Sequence, residues 1–150
     1  MPATETEIHT FHRYFIWQTV MRQHFFDRLG EHPETGPKGH PDIETFLYMS
    51  YWYAALYVVV EGWRELELED EEIDGLLESR NVGLLKRYRN GVFQFQRTYY
   101  DKRFLDLITD GENVAEWVRS LSSAFGRYFL AHGVGPLSVS SDFRADCATS

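Results

Sequence analysis

A short polar segment near the middle of the chain carries residue types that bind phosphate. Arg89 is followed directly by Asn90, and Gln94 lies four residues after Asn90. Arginine presents a rigid fork of N–H donors that matches phosphate oxygens, and the amides of Asn and Gln both donate and accept hydrogen bonds. On a helix, Asn90 and Gln94 lie on one face and can hydrogen-bond to each other, with Arg89 on the same side of the turn. These three residues are therefore candidates for an anion-binding site.

The same residues resemble a family signature. In the HEPN superfamily (higher eukaryotes and prokaryotes nucleotide-binding), an Arg with a polar residue directly after it is followed four to six residues later by a His. Arg89 and Asn90 match this pattern, and Gln94 stands where the family has its His. HEPN proteins are helical bundles, so the resemblance extends from the motif to the helical layout over residues 5–132.

The resemblance implies a homodimer and an RNA ligand. In active HEPN proteins, the Arg and His of two protomers meet at the dimer interface and cleave RNA without a metal. His exchanges a proton near neutral pH, while Arg stabilises the charge that builds on the phosphate. Gln94 cannot transfer that proton, so we expect Arg89, Asn90 and Gln94 to line a dimer groove in a noncatalytic or atypical member of an RNA-targeting, defence or toxin-antitoxin family. If activity is retained, it is a metal-independent ribonuclease, and no cofactor is expected.

Basic residues are concentrated in the same part of the chain. Residues 80–103 carry seven Lys or Arg and one Asp, a local charge of +6 in a chain with a formal charge of −8. Aromatic residues are interleaved with them: Tyr88, Phe93, Phe95, Tyr99 and Tyr100. Cations beside stackable rings are typical of surfaces that bind RNA or nucleotides. The residues expected to contact such a ligand are Lys86, Arg87, Arg89, Gln94 and Arg97.

An acidic segment offers a different partner for this basic helix. Residues 65–78 carry eight Asp or Glu. Charge runs are usually solvated or paired, so the structural alternative is that the basic helix faces this segment in its own or a neighbouring chain. The alternative function is an interaction module whose acidic segment and aromatic faces bind a protein partner. Glu61 and Glu65, four residues apart beside Trp63, are expected at the polar edge of a helix.

The histidines suggest a third function, a metal-binding helical bundle. His9 and His12 lie three residues apart on one helix face, where their ring nitrogens could bind a metal inside a bundle. His24 is too far along the same helix to share a site with His12, and the Glu-x-x-His pair of di-iron bundles is absent from the sequence. We therefore expect no metal, and expect His12 to pair with a carboxylate or to cap a neighbouring helix.

Length and composition fit one soluble domain. The chain has 150 residues, of which 43% are hydrophobic and 16% aromatic, enough for a core without disulfides. The single cysteine, Cys147, has no partner for an intramolecular disulfide. A secretory signal begins with basic residues, and the first ten residues contain no Lys or Arg. The apolar run Tyr51–Val60 falls short of the ~20 residues that cross a bilayer. We expect a cytoplasmic protein with no membrane contact.

Hydrophobic periodicity predicts an all-α fold, an antiparallel four-helix-type bundle with short additional helices. Helix-capping residues, glycines and prolines place the boundaries. A second helix apolar on two sides, together with the aromatic surplus, indicates a core that continues into a homodimer. The predicted domain is 1–132, followed by a loosely ordered tail over 133–150. The first predicted helix runs from Thr4 or Thr6 to about Leu29, where Gly30 stops it, and a connection follows over 31–41. The next elements are a helix over 43–66 capped by Asp42, and a short helix ending near Ser79. A helix capped by Asn81 then carries Leu84, Leu85, Tyr88, Val92 and Phe95, and an amphipathic turn over 104–108 leads to a last helix from Val114, which Gly133, Gly135 and Pro136 end.

Overall fold

The protein is an all-α bundle. A computed structural model describes residues 2–31 and 42–134, and 78% of these residues are helical with no strand among them. The all-α prediction is confirmed. In the described part of the chain, the helices are α1 (Glu5–Glu31), α2 (Ile43–Glu65), α3 (Glu71–Leu76), α4 (Asn81–Phe93), α5 (Lys102–Asp110) and α6 (Val114–Ala131).

A capping box fixes the start of α1 at Thr4, one of the two predicted starts. The Thr4 hydroxyl accepts from the Glu7 backbone N–H at 3.2 Å, and the Glu7 carboxylate accepts from the Thr4 N–H at 2.8 Å. These bonds satisfy amides that the first helical turn leaves without partners. The predicted stop at Gly30 is wrong, because α1 continues through it to Glu31. A glycine weakens a helix without ending it.

The start of α2 is tied to the end of α1. Asp42 caps α2 as predicted, accepting from the Thr45 backbone N–H at 2.7 Å. The Arg28 guanidinium reaches from α1 to the carboxylates of Asp42 at 2.5 Å and Glu44 at 3.2 Å. The ion pair with Arg28, and then the Thr45 amide, hold the pKa of Asp42 well below its ordinary value. Because the last turn of α1 meets the first turn of α2, the two helices are antiparallel.

The opposite end of the α1–α2 pair depends on a glycine. A Cβ atom at Gly62 would lie 2.8 Å from the Phe11 ring, so only glycine permits this approach of the two helices. Phe11 in turn contacts Phe125 and Phe129 of α6, with ring centroids 6.2 and 5.1 Å apart. The main core lies among α1, α2, α4 and α6. Its fully buried large side chains include Leu56, Val59, Val60, Trp63, Leu85, Tyr88, Leu121, Phe125 and Phe129.

The second helix is long and apolar enough to cross a membrane by length and composition alone. Its apolar side chains nevertheless supply much of the core of this bundle, including Trp52, Leu56, Val60 and Trp63. Burial inside the described domain accounts for part of this apolar surface, since 44% of the most apolar stretch of the helix is buried.

Asn81 has a different role from the predicted one. Its side chain donates to the Glu112 carbonyl at 2.8 Å and accepts from the Glu112 N–H at 2.9 Å. Asn81 is the first residue of α4, and its predecessor Arg80 makes no side-chain cap. The predicted cap is therefore a clamp between α4 and the α5–α6 connection.

Helix α6 ends in a glycine cap. Gly133 has a φ of 74°, in the left-handed region that favours glycine, and its N–H donates to Leu130 O at 3.2 Å. The Val134 N–H donates to Phe129 O at 2.9 Å, and the Val134 side chain is buried. The predicted helix end at Gly133 is confirmed. Residues 135–150 of the predicted tail, and 32–41 of the predicted connection, lie outside the described residues.

Candidate functional site

Arg89 lies at the seam between α4 and α2, held by three contacts. Its Nη1 donates to Glu61 Oε2 at 2.7 Å, and its Nε donates to Asn90 Oδ1 at 3.0 Å. Its Cζ lies 4.8 Å from the centroid of the Tyr57 ring. The Arg89 side chain is only 20% exposed. The motif arginine is thus an oriented, partly buried cation.

A buried tyrosine next to Arg89 fixes α4 on α2. The Tyr88 hydroxyl lies 3.1 Å from the Ser50 hydroxyl, and the Tyr88 ring lies 5.7 Å from that of Tyr53. Burial is the main cause that raises the pKa of Tyr88 to about 12, so its hydroxyl stays protonated at neutral pH. Burial also raises the pKa of Tyr57, with the Glu61 carboxylate as a further cause. The Tyr57 ring under Arg89 is therefore an uncharged aromatic surface on α2.

Asn90 and Gln94 do not form the predicted side-chain pair. The side-chain oxygen of Asn90, Oδ1, accepts a hydrogen bond from Arg89 Nε instead. Helix α4 ends at Phe93, and Gln94 has extended backbone angles with φ −116° and ψ 130°. The contact between them is the backbone bond from Gln94 N–H to Asn90 O at 3.0 Å. Gln94 is exposed and begins the connection to α5, while Arg89 remains in the helix packing.

Helix α4 is also shorter than the helix that the sequence predicts after Asn81. Phe95, which periodicity places on its buried stripe, is 92% exposed. The buried contacts of α4 end before Phe95. At Gly91, the backbone of α4 packs against the Phe104 ring of α5, and a Cβ atom on Gly91 would lie 3.1 Å from that ring. Close packing at Gly91 brings α5 across the end of α4. The chain beyond Phe93 then runs along the surface.

Among the described residues, the basic residues of α4 do not face the acidic segment of their own chain, so that part of the structural alternative is wrong, and pairing with a neighbouring chain stays a prediction. Arg87 pairs with the buried Asp106 of α5, and Arg80 lies 3.9 Å from Glu112. The acidic segment meets α6 instead, where Arg127 contacts Asp70 at 2.7 Å and Glu72 at 2.9 Å. Three of the predicted ligand-binding residues therefore differ in how freely they can bind an anion. Arg87 and Arg89 are paired with carboxylates, whereas Lys86 is exposed and has no carboxylate partner among residues 2–31 and 42–134.

The connection after α4 presents rings and cations to solvent. We define residues 93–103 as the aromatic–basic segment. Phe95 is 92% exposed, Tyr99 79% and Tyr100 64%, and the two tyrosine rings lie 4.9 Å apart, edge to face. Arg97 and Lys102 are exposed, and no described carboxylate lies within ion-pair distance of either. Large exposed rings in one short segment mark an interaction surface.

The segment is attached to the Arg89 seam through Phe93. The Phe93 ring lies 5.7 Å from the Tyr51 ring of α2. Phe93 is also one helical turn beyond Arg89 on the same face of α4. The interleaved rings are evident in the sequence, but its periodicity predicts Phe95 on a buried helix face. The run Thr98-Tyr99-Tyr100-Asp101, which is polar at both ends and closes with the Asp that caps α5, is the signal that a connection lies there.

The described histidines occupy separate sites. His12 is buried beside the Phe129 ring at 4.8 Å, and burial, then His9, lower its pKa. His24 stacks on Tyr48, and His132 Nδ1 lies 2.8 Å from the Tyr128 carbonyl. Among residues 2–31 and 42–134, no group of three or more metal-binding side chains converges. His12 contacts aromatic rings where a carboxylate partner or a capping role was expected.

Glu61 and Glu65 lie at the polar edge of α2, as expected. The Glu61 side chain is 41% exposed, and Glu65 is exposed. Glu61 also has a partner that the sequence did not predict, the motif arginine Arg89.

Comparisons with family models, with curated proteins and with solved structures find no match to this chain.

Proposed function

We propose that this protein binds single-stranded RNA without cleaving it, as a noncatalytic HEPN-like protein of an RNA-targeting, defence or toxin-antitoxin type. The observation that carries the proposal is the aromatic–basic segment, where Phe95, Tyr99 and Tyr100 are exposed beside Arg97 and Lys102. The Arg89 seam adjoins this segment through Phe93.

Stacking accounts for the exposed rings. An unpaired base stacked on an aromatic side chain contributes about 1–3 kcal/mol, and such contacts tolerate any base sequence. Bases in a duplex are already stacked on each other, so the rings favour single strands or loops. Arg97 and Lys102 supply charges for the phosphates between the stacked bases.

The local charge makes binding compatible with an acidic chain. The formal charge of the whole chain is −8, whereas residues 80–103 carry +6. Binding of this kind is strongest at low salt, because cations on the protein release counterions from the phosphates. We expect the affinity to fall steeply as the salt concentration rises.

The proposal includes a homodimer, in which Gln94 lies at the dimer groove and Arg89 reaches that groove only from its partly buried position against α2. Support comes from the family motif and from the outward position of Gln94 at the end of α4. Light scattering of the purified chain tests this: a mass of two chains supports the dimer, and a mass equal to the 17.6 kDa monomer at micromolar concentration rejects it.

Fluorescence anisotropy with a labelled single-stranded RNA tests the binding proposal. The variant carries Tyr99→Ala with Tyr100→Ala, and the control carries Leu130→Ala, which removes a 63% exposed side chain from α6. We expect the tyrosine variant to bind about tenfold more weakly or worse, the control to bind like the original protein, and duplex RNA to bind less tightly. RNA binding that is absent, or equal in both variants, overturns the proposal.

A protein-interaction module is the second candidate. It is favoured by five exposed glutamates that have no ion-pair partner among the described residues: Glu65, Glu67, Glu69, Glu71 and Glu78. A labelled oligolysine peptide probes this strip. Binding that is lost in a Glu67→Gln, Glu69→Gln variant supports the module, and the absence of peptide binding counts against it.

A further inference from the structure

We infer that Glu61 occupies an anion site on Arg89 and competes there with a phosphate group of the ligand. The inference rests on the proposed function, because it assigns a regulatory contact to the same RNA-binding surface. The carboxylate of Glu61 lies where a phosphate oxygen would accept from the Arg89 guanidinium, with 2.7 Å between Nη1 and Oε2.

Arg89 keeps its orientation when Glu61 leaves. The Tyr57 ring lies 4.8 Å from Cζ, and Asn90 Oδ1 accepts from Nε at 3.0 Å. Neither contact involves Glu61. A guanidinium has five N–H donors, and Nη2 has no hydrogen-bond partner among the described residues. The two terminal nitrogens can then take two oxygens of one phosphate.

Glu61 is readily displaced. Its side chain is 41% exposed, twice the 20% of Arg89, and within the described residues its carboxylate is bonded to Arg89 alone. Ion pairs with one partner at the surface are worth about 0–1 kcal/mol, because water solvates the released carboxylate. The ligand phosphate is equally solvated before binding, so the two anions exchange at little net cost.

Because Glu61 competes for Arg89, it lowers the affinity of the protein for RNA. Each bound RNA must either leave Arg89 paired with Glu61 or displace that carboxylate. Removing the charge of Glu61 therefore makes Arg89 available and adds one phosphate contact to the complex. The location of Arg89, one turn before Phe93, places this contact next to the aromatic–basic segment.

The test compares Glu61→Gln with Glu65→Gln. Both substitutions remove one negative charge from α2, but only Glu61 contacts Arg89. By RNA anisotropy, we expect Glu61→Gln to bind about two- to fivefold more tightly than the original protein, and its plot of log affinity against log salt to steepen by about 0.7. Adding Arg89→Ala to Glu61→Gln should cancel both changes. Equal effects of Glu61→Gln and Glu65→Gln overturn the inference.

Inorganic pyrophosphate separates this inference from the proposed function. Nuclear magnetic resonance of the Arg89 Nε–Hε group reports whether pyrophosphate reaches the guanidinium, and we expect tighter binding in Glu61→Gln than in the original protein. If pyrophosphate binds in this way and RNA does not, the competition stands and the RNA proposal fails. If RNA binding depends on Tyr99 and Tyr100 while Glu61→Gln changes neither RNA nor pyrophosphate affinity, the competition fails and the RNA proposal stands.

Discussion

The guanidinium of Arg89 lies against the ring of Tyr57, with 4.8 Å between Cζ and the ring centroid. This contact joins α4 to α2 and orients the cation toward Glu61. The arginine is consequently part of the helix packing as well as a candidate ligand residue, and its removal has consequences for stability.

Arg89→Ala is expected to lower the free energy of unfolding by about 1–2 kcal/mol, because it removes a cation–π contact and a partly buried ion pair. Urea denaturation measures the change. The control is Arg119→Ala on α6, an exposed arginine with no ion pair among the described residues, for which we expect a change within about 0.5 kcal/mol. Equal effects would mean that Arg89 contributes nothing to the packing.

Asp42→Asn is expected to destabilise the protein near neutral pH. Asn retains the helix cap, so the loss comes from the contacts with Arg28. The pKa of Asp42 is lowered in the fold, so its stabilisation is complete above the unfolded-state pKa of about 3.9 and is lost as the pH falls through the lower folded-state pKa. The gap in urea midpoint between the two proteins should be largest near pH 6 and shrink below about pH 4. A gap that does not change with pH would show that the charge of Asp42 is unimportant.

Asn81→Ala is expected to cost about 1–3 kcal/mol, since it removes two hydrogen bonds between the buried Asn81 side chain and the backbone of Glu112. Thermal and urea unfolding measure the loss. Glu112→Ala is the matched control, because it removes an exposed side chain and leaves the bonded backbone atoms in place. We expect that control to unfold like the original protein, and a comparable loss in both would place the effect elsewhere.

Gln94→His is expected to introduce RNA cleavage that persists in EDTA, because His supplies the proton transfer that Gln lacks. Electrophoresis of labelled single-stranded RNA detects the products, and adding Arg89→Ala should abolish them. Gln96→His is the control, two residues further along the same connection. A Gln94→His protein that binds RNA and leaves it intact would contradict the assignment of this position as the degenerate catalytic site.

The sequence by itself determined the helical class and the starts of α1 and α2. Thr4 with Glu7, and Asp42 with Thr45, interact over three residues, so local chemistry is sufficient to specify these caps. The apolar stripes of α2 and α6 likewise identify the core, because burial follows the helical period. The ring-and-cation composition of residues 93–103 was also evident, since it needs no knowledge of neighbours.

Only the tertiary structure decided what those residues contact. Arg89 and Glu61 are 28 residues apart, and Asn81 and Glu112 are 31 apart, so neither pairing has a signal in local spacing. The end of α4 at Phe93 also depends on distant packing, since α5 meets α4 at Gly91. Charge and polarity can be read along the chain, but the partner of a charged or polar group depends on which helices pack together. The packing of α4 against α2 and α5 therefore separates Arg89, which is held against α2, from Gln94, which is exposed beyond the end of α4.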